Sequence, residues 1–123
     1  MIEGAPMSEI DHPLWTETSV RTWIEASTSV ALRPAADRAR KLDWLADYCA
    51  FVGASPDAIV AAARGDAAAK NEFLKRLKTW ADQMTAPERT RHDAENAIRG
   101  FFMRNGFRVV ARPYRDVYQR AGR

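Results

Sequence analysis

The sequence contains one cysteine, Cys49, and two histidines, His12 and His92, among 123 residues. A single cysteine cannot form a disulfide within the chain. Neither histidine has a second histidine or a cysteine at the spacing of a metal site, and neither lies in a nucleophile motif. Gly100 and Gly106 do not fit a phosphate-binding glycine loop. We expect Asp93 and Glu95 to lie on an exposed helix face, without a pocket for paired acid–base chemistry. The residues therefore predict no catalytic site, no bound metal and no cofactor in this chain.

Long apolar runs and a signal peptide are also missing, so we expect a cytoplasmic protein with no membrane partner. β-Branched residues are scarce, no long stretch alternates apolar and polar residues, and alanine is frequent. These features favour helices over strands. The sequence therefore predicts an all-α fold, a compact bundle of four to five helices in one domain.

Capping residues and apolar periodicity divide the chain into five predicted helices. The first covers about 16–28, the second begins near Pro34 and stops at Gly53, and the third follows Ser55 as N-cap. The fourth runs from the N-cap Asp66 to about Met84, and the fifth runs from the Thr85–Glu88 segment, with capping-box spacing, to Asn105-Gly106. We assign 1–15 to a flexible leader, 16–113 to the helical domain and 114–123 to a tail or linker.

Apolar stripes at helical spacing mark the expected core. They are Val20, Trp23, Ile24 and Ser27; Leu42, Leu45, Ala46, Cys49 and Val52; Phe73, Leu77, Trp80 and Met84; and Ala94, Ala97, Ile98, Phe101 and Phe102. Because Cys49 lies on such a stripe, we interpret it as a packing residue rather than a reactive thiol. Phe107, Val109 and Val110 are predicted to form a short extended segment that packs back on the bundle.

The net charge of +3 is unevenly distributed along the chain. Residues 1–32 contain five acidic residues and one basic residue, a net charge of −4, whereas residues 33–123 contain 18 basic and 11 acidic residues, a net charge of +7. The positive charge of residues 33–123 favours a polyanionic partner such as nucleic acid.

Basic residues crowd the starts of the two long helices. On the second helix, Arg38 and Lys41 precede the large apolar residues on the same broad side. Either this helix start projects beyond the bundle towards a partner, or the two stems lie along the core edge with their charges in water. On the fifth helix, Arg89 and Arg91 flank Thr90 in the first turns, where free N–H groups attract phosphate. The alternative is a pair of ordinary amphipathic helices with arginine-rich surfaces.

The segment from Thr90 to Gly106, TRHDAENAIRGFFMRNG, resembles the last helix of the core-binding domain of tyrosine recombinases, the family of phage-type integrases. The matching residues are Thr90, Ile98, Arg99, Phe101, Phe102, Asn105 and Gly106. Weaker similarities extend to the segment 55–60 and to Leu42, Leu45 and Tyr48, so that the resemblance covers about residues 16–113. Pro34 and Arg38 depart from the family, which has threonine and tyrosine at these places.

The resemblance implies a SAM-like orthogonal bundle that grips one face of duplex DNA with the two helices beginning near Pro34 and Pro87. The implied partners are double-stranded DNA, the C-terminal catalytic domain of a parent recombinase, and further copies of the chain assembled on DNA. The family's His-x-x-Arg motif is not found, so we expect an excised domain or truncated integrase that neither cuts nor joins DNA by itself. The residues expected to contact DNA are Arg38, Lys41, Arg89, Thr90 and Arg91, with Arg33 and Arg99 as second choices.

The alternative function is a helical protein–protein interaction domain. In that case Trp15, Trp23 and Phe107 are expected to form an exposed apolar patch.

Overall fold

The computed structural model describes residues 12–26 and 35–109, and every regular element within those ranges is a helix. A short 3-10 helix, Pro13–Thr16, precedes five α-helices. They are α1 (Thr18–Ala26), α2 (Ala35–Val52), α3 (Pro56–Gly65), α4 (Ala67–Gln83) and α5 (Glu88–Arg104). The prediction of an all-α helical bundle is confirmed. Predictions that concern Ser27, Arg33, Pro34, Val110 and the segments 1–11 and 114–123 lie outside the described residues.

The sequence predicted a leader that extends to residue 15, but the helical unit already begins at Pro13. Leu14 and Trp15 belong to the 3-10 helix and pack against the core. The His12 side chain caps this short helix, since its Nδ1 accepts a hydrogen bond from the backbone N–H of Leu14 at 3.1 Å. Its Nε2 lies 3.0 Å from Asp43 Oδ1 on α2, which ties the start of the described chain to the bundle.

Local capping starts two of the helices as predicted. Ser55 Oγ accepts a hydrogen bond from the N–H of Ala58 at 3.2 Å, and Asp66 Oδ1 accepts one from the N–H of Ala68 at 2.9 Å. The capping box predicted for α5 is wrong. This helix begins at Glu88 with Pro87 as its N-cap and without a side-chain capping bond. Thr85, the predicted capping residue, therefore does not occupy the N-cap position.

The apolar stripe from Ala94 to Phe102 makes α5 the central helix. It packs against α1, α2 and α4, while α3 packs against α1 and α4. Ala94, Ile98, Phe101 and Phe102 of α5 are fully buried, and so are Leu42, Leu45 and Tyr48 of α2. The rings of Trp23 and Phe101 meet edge to face at 5.7 Å between centroids, as do Tyr48 and Trp80 at 5.7 Å. The predicted core stripes are therefore confirmed at the positions that the structure describes, except for Ala46, which is half-buried and does not belong to the core cluster.

Glycines in the left-handed region end two helices. Gly53, at φ +76°, ends α2, and Gly106, at φ +96°, follows α5. A side chain is strained in this conformation, whereas glycine adopts it freely. The turn at Gly106 sends Phe107 back onto the core and Val109 into a buried position, so the predicted packing of this extended segment is confirmed up to Val109.

Within the described residues, no single helix has both the length and the apolar character needed to cross a membrane. Only α2 and α3 taken together, with a bend of 62° between them, meet those requirements of length and composition.

Candidate nucleic-acid interface

The first halves of α2 and α5 border a surface groove of about 380 Å³. It is lined by Asp37, Arg40, Lys41 and Trp44 from α2 and by Arg89, Asp93, Asn96 and Ala97 from α5. These positions recur every three or four residues on each helix, so each set lies on one helical face. We call this feature the α2–α5 groove.

Two of the sequence-predicted contact residues, Lys41 and Arg89, meet in the α2–α5 groove. Arg40 also lines the groove but was not among the predicted contact residues; its guanidinium carbon lies 5.0 Å from the centroid of the Trp44 ring. The i, i+4 spacing of Arg40 and Trp44 was available as a signal for this cation–π contact. That spacing could not show that α5 borders the same face.

The charges of the groove are arranged with its arginines outermost. Asp37 lies 3.1 Å from Arg40 and 4.0 Å from Lys41, and Asp93 lies 3.4 Å from Arg89. The side chains of Arg40 and Arg89 are 58% and 65% exposed, against 16% for Asp37. A large anion approaching this surface therefore meets two guanidinium groups before it meets the Asp37 carboxylate.

The start of α5 adds backbone donors beside the groove. Pro87, its N-cap, has no side-chain acceptor for the N–H groups of the first turn. The helix dipole also places partial positive charge at this end. Arg89 and Thr90 follow directly in the first turn, and Thr90 is half-buried.

The other predicted contact residues that the structure describes do not line the groove. Arg91 is half-buried and donates through Nη1 to the carbonyl oxygen of Asp82 at 3.5 Å, which joins α5 to the end of α4. Arg38 is half-buried on α2. Arg33 lies outside the described residues.

Arg99 is engaged inside the bundle. Its Nε donates to Glu95 Oε2 at 3.0 Å, and the two side chains are only 16% and 6% exposed. The expectation that Glu95 lies on an exposed helix face is wrong. Because α1, α2 and α4 surround α5, they leave too little free surface for all of its polar residues, and Glu95 is covered.

The apolar patch expected for a protein-interaction domain is not formed. Trp23 is 3% exposed, and Trp15 and Phe107 are half-buried against the core. The large apolar side chains that the described residues leave exposed are Phe51 and Met103, at 41% and 40%.

The thiol of Cys49 is a core group, as predicted. Burial, reinforced by the charge of Glu17, raises the pKa of Cys49 to about 12. The thiolate is therefore scarce at neutral pH, which disfavours nucleophilic chemistry there. Among the residues that the structure describes, no three histidine, cysteine, aspartate or glutamate side chains are grouped so as to hold a metal ion.

The chain matches no protein-family model, and no curated protein or solved structure matches it.

Proposed function

We propose that this bundle is a duplex DNA-binding module of the kind that tyrosine recombinases use as their core-binding domain, with the α2–α5 groove on its DNA-facing surface. The observation that carries the proposal is the meeting of Arg40, Lys41 and Arg89 along two adjacent helices. Charge along the sequence could not establish that juxtaposition.

The groove suits the phosphate backbone of a duplex. A guanidinium group presents a planar fork of donors that matches phosphate oxygens, and Lys41 adds a further positive charge to the groove. The uncapped N–H groups at the start of α5 provide further phosphate donors. Contacts of this kind position a protein on DNA without reading its sequence.

The acids of the groove do not oppose this function strongly. Arg89 and Asp93 form an exposed ion pair, and such pairs contribute no more than about 1 kcal/mol to stability. A phosphate can therefore replace the Asp93 carboxylate as the partner of Arg89 at low cost. Asp37 keeps Arg40 and Lys41 on the groove side of α2 until DNA binds.

The family-like residues of α5 have structural roles in this bundle. Ile98, Phe101 and Phe102 belong to the core, and Asn105 and Gly106 end the helix. The similarity to tyrosine recombinases thus supports a shared scaffold, while the groove supports DNA as the ligand. The proposal extends to a catalytic domain elsewhere in a cytoplasmic parent recombinase and to assembly of several copies on DNA.

A double variant, Arg40→Gln with Arg89→Gln, tests the proposal. We expect binding of a labelled duplex, followed by fluorescence anisotropy between about 50 and 200 mM salt, to weaken at least about tenfold. The slope of log affinity against log salt should also fall by nearly two, since two phosphate contacts are lost. Circular dichroism should show an unchanged helical content.

Arg76→Gln provides the matched control. Arg76 is also an exposed arginine in an i, i+4 pair, at 3.7 Å from Glu72, but it lies on α4 outside the α2–α5 groove. Its loss removes one charge of the same kind and should leave the salt slope nearly unchanged. Equal effects of the single variant and the double variant, or a folded double variant that binds DNA like the wild type, would contradict the proposed interface.

A further inference from the structure

A second pocket, of about 420 Å³, lies where α1, α3 and the end of α5 meet. We call it the junction pocket and define it by Thr18, Thr22, Asp57, Arg64, Arg104 and Asn105. Arg104 follows Arg89 by fifteen residues on α5, which corresponds to about 22 Å along the helix axis. The junction pocket is therefore separate from the α2–α5 groove.

The floor of the junction pocket is one face of α3. Asp57, Val60, Ala61 and Arg64 line it, with the i, i+3, i+4, i+7 spacing of a single helical face. Asp57 and Arg64 are about 10 Å apart along the axis, so the pocket has an acidic end and a basic end.

The acidic end already has a structural role. Asp57 Oδ1 accepts a hydrogen bond from the backbone N–H of Ser19 at 2.8 Å, and Oδ2 accepts one from Thr18 at 3.1 Å. Desolvation alone would raise the pKa of Asp57, but the hydrogen bonds from Ser19 and Thr18 and the charge of Arg21 hold it below its ordinary value. The carboxylate charge is therefore compensated where it lies.

The basic end has arginines without acidic partners. Arg64 Nη2 donates to the carbonyl oxygen of Asn105 at 2.9 Å, and its guanidinium carbon lies 5.9 Å from the Phe107 ring centroid. These contacts hold the guanidinium in place while leaving other N–H donors. In residues 12–26 and 35–109, neither Arg64 nor the exposed Arg104 forms an ion pair with a carboxylate.

The electrostatics at the C-terminal end of α5 allow an anion to bind at the basic end of the junction pocket. Carbonyl groups at a helix C-terminus normally repel anions. Here the carbonyl of Phe101 accepts hydrogen bonds from Asn105, including one from its side-chain Nδ2 at 2.9 Å, and the carbonyl of Phe102 accepts one from the N–H of Phe107 at 3.1 Å. These bonds offset part of the negative end of the helix, and the two arginines add full positive charges.

We propose that the junction pocket binds a phosphate group between Arg64 and Arg104, with the Thr22 hydroxyl as an additional donor. Two guanidinium groups supply paired donors to phosphate oxygens. The pocket is larger than a free phosphate ion, so it suits a phosphate carried by a small organic molecule or by a nucleic-acid backbone. The site is independent of the DNA interface proposed above.

The test is a titration of ¹⁵N-labelled protein with inorganic phosphate, followed by NMR at constant ionic strength with chloride as the reference anion. We expect saturable shifts of the Arg64 and Arg104 Nε–Hε signals and of the Gly106 amide signal. Arg104→Gln should weaken phosphate binding at least about tenfold, because it removes charged hydrogen bonds. Arg104 is exposed and, within the described residues, its side chain forms no hydrogen bond or ion pair, so this variant should remain folded.

Arg76→Gln is the matched control, since it removes an exposed arginine that lines neither the junction pocket nor the α2–α5 groove and should leave the phosphate response of the junction signals unchanged. The proposal is overturned if phosphate at about 20 mM, above the usual range of weak specific binding, shifts no junction signal. It is equally overturned if Arg104→Gln saturates like the wild type. Failure here leaves the DNA proposal intact, because Arg40→Gln with Arg89→Gln tests that surface alone.

A second titration identifies the source of the phosphate and uses a mononucleotide and a short duplex in parallel. Junction shifts with both ligands, lost in Arg104→Gln, assign the pocket to a backbone phosphate as well as to small molecules. Shifts with the mononucleotide alone assign it to a small phosphorylated ligand. Either result supports the pocket, whereas shifts that persist in Arg104→Gln with both ligands contradict it.

Discussion

Two arginines of the same helix show how burial separates surface from structural cations. Arg89 is 65% exposed and forms an exposed pair with Asp93, whereas Arg99 is 16% exposed and bonds to the buried Glu95. Ten residues separate the two arginines, and both lie in an arginine-rich stretch of sequence. Arg89 is therefore placed to meet a phosphate, while Arg99 neutralises a carboxylate inside the protein.

Arg99→Gln is expected to lower the free energy of unfolding by about 3 kcal/mol, because it removes a charged hydrogen bond from the buried Glu95 carboxylate. Urea denaturation followed by circular dichroism measures this change. The folded fraction should bind a DNA duplex with wild-type affinity. A variant of wild-type stability with weakened DNA binding would instead make Arg99 a contact residue.

Helix α1 depends on its neighbours for its stability. At nine residues it is too short to persist alone in water. Asp57 of α3 accepts hydrogen bonds from its first N–H groups, and Glu17 in turn accepts one from the N–H of Asp57 at 3.0 Å. The starts of α1 and α3 therefore cap each other across the junction pocket.

Asp57→Ala is expected to destabilise the protein by about 1 kcal/mol, the usual effect of losing a helix cap. Since the folded-state pKa of Asp57 lies below its ordinary 3.8, the contribution is complete above that pH and is lost as pH falls through the folded pKa. The difference in the free energy of unfolding between wild type and variant, measured by thermal unfolding, should therefore become smaller at low pH. Amide exchange in α1 should be faster in the variant.

Asp82→Ala is the control for that prediction. Asp82 pairs through its side chain with the exposed Lys78 at 3.1 Å, so its loss should change stability by less than about 1 kcal/mol. A difference between Asp57→Ala and wild type that stays constant down to pH 2 would contradict the capping role.

The two ends of the described chain are joined through one buried amide. Asn105 is 6% exposed, and its Nδ2 donates to the carbonyl of Ser19 at 3.1 Å and to that of Phe101 at 2.9 Å. The bond to Ser19 spans 86 positions of sequence. Through it the end of the central helix α5 holds α1 against the bundle, so these helices are expected to unfold together.

Asn105→Ala is expected to lower the free energy of unfolding by about 1–3 kcal/mol, because it leaves the carbonyl of Ser19 without this donor. Far-ultraviolet circular dichroism and tryptophan fluorescence should report one shared transition at a lower urea concentration, since Trp23 on α1 packs against α5. Two separate transitions, or an unchanged midpoint, would show that α1 is held in another way.

Local interactions explain why much of the bundle could be predicted. Ser55 and Asp66 cap helices through atoms two or three residues away, and Gly53 ends α2 by its own backbone freedom. The apolar spacing of Leu42 and Leu45, or of Ile98 and Phe101, marks a buried face on any amphipathic helix. In each case a segment of a few residues contains all the information needed.

Contacts between segments that are distant in sequence explain why the other features could not be predicted. Periodicity shows that a helix has a polar face but not whether a neighbour covers it, so Glu95 was wrongly expected to be exposed and Arg40 was missed beside Trp44. The amino-acid pattern alone thus defined the helices and most of their buried sides. Packing of α5 against α1, α2 and α4 defined which cations line a groove, because burial depends on residues far apart in the chain.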